Sequence, residues 1–202
     1  MKARHIACLA ALAMPVSSVF ASDVSYNYIQ AGYQTTGQDN ITAATNTTRR
    51  AGHGIDLAAS VALAPNMFVA ADYREYGFND SSTDFERASL GLGYNATVSR
   101  GVDLFAVAKV VYTEYFDGDE DDVVPGASVG FRGQSPIENL ELAVRMDWVH
   151  EDGHDDGFED LRSEYTLSYQ GIYDVGQGLG IVGEANLNRD FQTWALGVRY
   201  SF

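Results

Sequence analysis

The sequence predicts an all-β protein, a closed antiparallel transmembrane β-barrel of ten strands, with eight strands as the alternative. Three observations lead there. Apolar side chains recur with period two in segment after segment, the pattern of strands with two different faces. Within these segments the charged residues fall on the face opposite the apolar one. After the first twenty or so residues no apolar run is long enough for a membrane-spanning helix, which needs about 20 residues, so a bilayer could be crossed only by a barrel that satisfies every backbone group within itself.

The chain opens with Lys2 and Arg4, an apolar run from Ile6 to Met14, a break at Pro15, Ser17 and Ser18, and then Val19-Phe20-Ala21. This is the layout of a secretory signal with a small-residue cleavage site, so residues 1–21 are expected to be a signal peptide and residues 22–202 the barrel. Cys8, the single cysteine of the chain, lies within that signal. It precedes most of the apolar segment, which argues against a lipid anchor, and the exported chain would have neither disulfides nor thiolate chemistry. Loss of Lys2 and Arg4 takes the formal charge from −15 to about −17 over about 181 residues, the length of one domain. A surface this acidic excludes nucleic acid as a partner, because its phosphates demand Lys and Arg.

Ten apolar faces follow in order. The first is Ile29, Ala31 and Tyr33, and the second is Ile55, Leu57, Ala59, Val61 and Leu63. Next come Met67, Val69, Ala71 and Tyr73; Ala88, Leu90, Leu92 and Tyr94; and Leu104, Ala106, Ala108, Val110 and Tyr112. The sixth is Ala127, Val129 and Phe131, and the seventh is Leu140, Leu142, Val144, Met146 and Trp148. The last three are Tyr165, Leu167 and Tyr169; Leu179, Ile181, Gly183, Ala185 and Leu187; and Trp194, Leu196, Val198, Tyr200 and Phe202. An eight-strand count would require merging the last short hairpin.

No charge stands on these apolar faces. The opposite faces carry Asp56, Asp72, Arg74, Arg87, Lys109, Arg132, Glu141, Arg145, Asp147, Arg162, Glu164, Glu184 and Arg199. A soluble barrel with an apolar lumen would show the same alternation. Complete exclusion of charge is better explained by lipid, where an Arg or Lys at the midplane costs roughly 2–4 kcal/mol. The inward face then holds six acids and seven bases, near neutrality, and Arg74, Arg87, Arg145 and Arg199 are expected to be held by Asp72, Glu141, Asp147 and Glu184. Paired charges that fill a narrow interior point to a plug rather than a pathway.

Short links at Ala64 to Asn66 and Ser99 to Gly101 alternate with polar ones at Thr35 to Gly52, Tyr115 to Val124 and His150 to Asp160. Short periplasmic turns and longer outer loops are the expected barrel pattern. Tyr33, Tyr73, Tyr112, Trp148, Tyr165 and Trp194 are then expected at the outer interface, and Tyr94, Tyr169, Tyr173, Tyr200 and Phe202 at the inner one.

The terminal "WALGVRYSF" resembles the C-terminal signal by which the barrel insertion machinery of the outer membrane recognises its substrates. The segments "SYNYIQAGYQ", "FERASLGLGYN" and "TWALGVRYSF" resemble a family of small proteobacterial outer-membrane barrels of unknown function, some catalogued as secreted immune activators. In general shape these are similar to the OmpA-like and OmpX-like barrels. The resemblance implies the outer membrane of a Gram-negative cell, with lipid and lipopolysaccharide as surroundings, and is silent on activity.

The loop motifs yield no catalytic, cofactor-binding or metal residues. "DGDEDD" (Asp117 to Asp122) has Asp122 where a calcium-binding EF-hand loop needs glycine and Ser128 where it needs the bidentate Glu. "HEDGHDD" sets His150 and His154 beside Asp152, Asp155 and Asp156, letters that suit a metal or an omptin-like Asp/His pair. The chain is shorter than those proteases and has no second acidic cluster of matching spacing. The expectation is therefore a non-enzymatic barrel with acidic surface loops, serving membrane integrity or surface interaction and holding divalent cations at the loops. A small channel is the first alternative and an omptin-like hydrolase the second.

Overall fold

A computed structural model describes residues 24–39, 49–78, 84–115, 121–151, 162–188 and 191–202. The signal expected over 1–21 and most of the two acidic motifs, residues 117–120 and 152–160, lie outside the described residues. Ten strands form in chain order: β1 Tyr28–Asp39, β2 Arg49–Ala64, β3 Met67–Phe78, β4 Asp84–Ser99, β5 Val102–Tyr115, β6 Asp121–Gln134, β7 Leu140–Glu151, β8 Arg162–Gly176, β9 Leu179–Leu187 and β10 Phe191–Ser201. Each pairs antiparallel with its sequence neighbours. β1 closes on β10 from Tyr28 opposite Ser201 to Gln38 opposite Phe191, so the sheet has no free edge. Ten strands decide against eight.

Register follows the expected faces. Ile29, Ala31 and Tyr33 stand opposite Tyr200, Val198 and Leu196 across the closing seam, so like faces stack and the outer wall is apolar across its middle. Leu196, Leu90 and Trp194 are about three-fifths exposed, an arrangement water would penalise and lipid rewards. Together with the closed ladder this makes the chain a membrane-spanning barrel.

Four short turns, Pro65-Asn66, Arg100-Gly101, residues 135–139 and Gln177-Gly178, share one end with both described termini. That end is taken as periplasmic by the short-turn rule. At Gln177 and Gly178 the backbone φ values are 58° and 77°, the left-handed pair that a two-residue hairpin requires and that glycine adopts without strain. The register shifts at Ala62/Ala64, Thr97/Ser99 and Asp174/Gly176 all fall at this rim, where bulges normally collect.

Three sequence expectations change. The strands run further into the connections than the alternation indicated: β1 reaches Asp39, β2 starts at Arg49, β6 starts at Asp121, and His150 and Glu151 belong to β7. Above the lipid both faces of a strand are polar, so the apolar signal ends before the strand does. The outward faces are also not free of charge along their whole length, since Glu75, Glu86 and Glu114 follow Tyr73, Ala88 and Tyr112 in direct cross-strand register. The Tyr73 hydroxyl donates to Glu75 Oε2 (3.0 Å) and the Tyr112 hydroxyl to Glu114 Oε2 (3.1 Å), which marks the level where the apolar belt ends. Tyr169, finally, pairs with Val144 and Ala185, mid-strand rather than at the inner rim.

Candidate functional site

The lumen is where this chain keeps its polar chemistry, and strand alternation places every group in it. A belt of ion pairs spans the interior. Arg74 (β3) reaches Asp56 Oδ2 on β2 with Nε (3.0 Å) and Glu184 Oε1 on β9 with Nη2 (3.1 Å), bridging strands far apart in the wall. Arg87 (β4) binds Glu164 Oε2 on β8 at 2.8 Å, and the Asn188 amide donates to the same carboxylate. Asp147 (β7) collects Lys109 Nζ (2.7 Å), Arg145 Nε (2.7 Å) and the Ser128 hydroxyl (2.5 Å). Arg132 (β6) pairs with Glu141 (β7). Asp72 accepts the Ser89 hydroxyl. Charges removed from water in this way must be matched, because an unmatched one costs several kcal/mol.

The expected partners are met in part. Arg145 takes Asp147 and Arg74 takes Glu184, while Arg87 takes Glu164. Arg199 is held mainly by neutral oxygens: Nε and Nη2 donate to Gln30 Oε1 at 3.0 and 2.6 Å, and Nη2 also to Gln170 Oε1 at 2.8 Å. Its Nη1 lies 4.0 Å from the carboxylate oxygen Glu141 Oε1. The Arg162 side chain lies outside the described residues. Asp103, absent from the expected set, is buried at the inner rim and accepts the Thr97 hydroxyl at 2.8 Å.

Below the belt the interior is aromatic. Val24, Tyr26, Phe68 and Phe105 form a buried cluster against Ala62, Ala70 and Val107. The segment before β1 folds back into the periplasmic mouth, where Asn27 Oδ1 accepts the Ala62 amide (2.8 Å) and Asn27 O accepts the Phe202 amide (3.1 Å). Tyr26 stacks on Phe68 at 4.5 Å between ring centroids, and Arg132 sits 5.3 Å from the Tyr26 ring centre, within cation–π range. The Phe68 ring lies against Gly93, where any Cβ would strike it. Towards the other end, Val111, Val124 and Val149 make a second buried apolar cluster.

Sequence reading missed this plug because it followed charges alone. Tyr26 and Tyr28 share the parity of Gln30, and Phe68 and Phe105 sit on the polar parity of β3 and β5. Large aromatics on the inward face were the available signal.

Between plug and belt lies a partly open cavity of about 100 Å³, lined among others by Tyr26, Phe68, Lys109, Arg132, Arg145 and Arg199. Sites for organic ligands run to roughly 300–1,000 Å³. This space suits a few waters or one small ion. Among the described residues no group of three or more His, Cys, Asp or Glu is placed to hold a metal.

No protein-family model matches the chain, and neither does any curated protein. Solved structures do. An outer-membrane channel from Pseudomonas putida F1 is similar over 90% of this chain and 97% of its own, at 10% identity and a TM-score of 0.53. The fold is that of the outer-membrane barrels. Two further solved structures are similar with lower scores. A KdgM porin in complex with disordered oligogalacturonate is 12% identical, covering 86% of this chain and 99% of its own, with a TM-score of 0.44. The Salmonella typhi outer membrane phospholipase, a dimer with bound calcium, is also 12% identical, covering 88% and 91%, with a TM-score of 0.42.

Proposed function

We propose that this chain is a non-enzymatic, non-conducting barrel of the outer membrane that serves membrane integrity or surface interaction through its acidic outer face. The observation that carries the reading is the filled lumen. Ion pairs cross it at mid-height, the Tyr26, Phe68 and Phe105 cluster occupies its periplasmic mouth, and the space between them is about 100 Å³. Eight-stranded barrels are just wide enough for side chains to fill and porins of 16–18 strands leave an aqueous channel. Ten strands fall nearer the filled end, which supports the closed reading.

The surface half of the proposal rests on charge. Residues 117–122 and 151–160 carry eleven carboxylates, and Glu75, Glu86 and Glu114 add an outward row at the upper rim. Such a field repels lipopolysaccharide phosphates unless divalent cations intervene, and hard oxygen ligands favour calcium or magnesium. Liposome swelling with a small sugar tests the closed barrel: the refolded protein should leave swelling at the rate of protein-free vesicles. Swelling that rises with the amount of inserted protein would favour the small-channel reading instead.

A further inference from the structure

The chain joins the wall at Tyr28, which stands opposite Ser201 on β10 and Ser60 on β2. Asn27 carries the ladder one step beyond by substitute bonds. Its carbonyl accepts the Phe202 amide (3.1 Å) and its side-chain Oδ1 accepts the Ala62 amide (2.8 Å), while its own amide donates to the Ser25 hydroxyl (3.1 Å). One residue thus serves both neighbouring strands, and the chain before it turns into the lumen as a short strap.

The strap is seated on side chains rather than on a two-sided ladder. Val24 and Tyr26 are 3% and 8% exposed and pack with Phe68 and Phe105. Arg132 lies 5.3 Å from the Tyr26 centroid, but it is also 5.5 Å from that of Tyr28 and pairs with Glu141, so this part of the wall keeps its own partners whether or not Tyr26 is in place. The Tyr26 hydroxyl is sealed from water and has no hydrogen-bond partner among the described residues. A buried hydroxyl without a partner carries a desolvation cost, which offsets part of what the stacking on Phe68 contributes. Segments held this way belong to the low end of local stabilities, below strands bonded on both sides.

We infer that residues 24–27 form a latched strap that opens from the periplasmic mouth while the barrel wall stays closed, with Asn27 as the latch and the Tyr26 hydroxyl as the element that keeps the seat weak. Opening breaks the two Asn27 bonds to the wall and uncovers an aromatic socket of Phe68 and Phe105 with the Arg132 guanidinium beside it. The ion pairs of Arg74 across the lumen are not touched, so the strap moves independently of whether the barrel conducts.

The test uses the full refolded chain in lipid vesicles, with Cys8→Ser so that an introduced thiol is the only one. Val24→Cys reports the strap, and Val111→Cys, at a fully buried site in the other apolar cluster, reports opening of the whole barrel. Labelling by a bulky maleimide is followed on gels, with heat-modifiable migration as the check that the wall is folded. The Val24→Cys protein should label at least an order of magnitude faster than the Val111→Cys protein. Adding Asn27→Ala, which removes the bond to Ala62, should speed it severalfold. Adding Tyr26→Phe, which keeps the ring and removes the unpaired hydroxyl, should slow it severalfold, a sign that simple loss of contacts would not give, and this variant carries the test if Asn27→Ala fails to fold. Equal rates at the two positions, a folded Asn27→Ala protein that labels no faster, or a Tyr26→Phe protein that labels as fast as its parent or faster would overturn the inference and make the strap a fixed part of the barrel.

Discussion

Arg74 offers the sharpest test of how the lumen is held together. Its guanidinium is the bridge between Asp56 and Glu184, both with side chains 4% exposed, at 3.0 and 3.1 Å. At an effective dielectric of about 20 a charge separation of about 4 Å is worth roughly 4 kcal/mol per pair, before desolvation is counted. Replacing Arg74 with Gln removes both attractions and strands two carboxylates in a closed interior, a situation that typically costs about 3–5 kcal/mol. The triple variant Arg74→Gln, Asp56→Asn, Glu184→Gln leaves amides that can bond one another, and its loss should fall to about 1 kcal/mol. Urea unfolding in lipid vesicles, followed by the fluorescence of Trp148 and Trp194, measures both. A single variant within 1 kcal/mol of the native protein, or a triple variant as unstable as the single one, would show that the belt is solvated and that its pairs do not bear on stability.

Three other perturbations address the wall, the plug and assembly. Leu196→Arg places a cation at the middle of β10 on a residue 67% exposed, and should cost about 2–4 kcal/mol in vesicles, with reduced heat-modifiable migration on cold gels. Gly93→Ala pushes a Cβ into the Phe68 ring and should cost about 1–3 kcal/mol by overpacking, most of it recovered when Phe68→Leu is added, as urea titrations of the two proteins would report. Deleting Phe202 removes an amide that bonds Asn27 and a ring 6.3 Å from Tyr200, and should lower the yield of folded barrel in the outer membrane relative to a surface control such as Glu138→Gln.

The wall was legible in the sequence because lipid imposes one rule on every strand: Ile29, Leu57, Leu90, Val110, Met146 and Leu196 all had to face outward, and register then followed from parity. Strand ends were less legible. At Asp39, Arg49, Asp121 and Glu151 the chain has left the hydrocarbon while its ladder continues, so hydrogen bonding persists where hydropathy no longer alternates. Within the lumen, parity told which charges point inward but could not tell which of them meet. Arg74 crosses to Glu184, 110 positions away, and that choice depends on barrel shear and side-chain reach. Arg199 illustrates the limit: an amide pair, Gln30 and Gln170, took the place a carboxylate was expected to hold. Tyr26, Phe68 and Phe105 were visible as inward aromatics but carried no charge to draw notice.

If, as we propose, the lumen is closed by its own side chains, single-molecule conductance in planar bilayers at physiological salt will show it. The native protein should insert without steady open-channel current, and the double variant Tyr26→Ala, Phe68→Ala, which empties the periplasmic mouth but keeps the ion-pair belt, should add at most brief, low-amplitude openings. Sustained ohmic current through the native barrel would contradict the account.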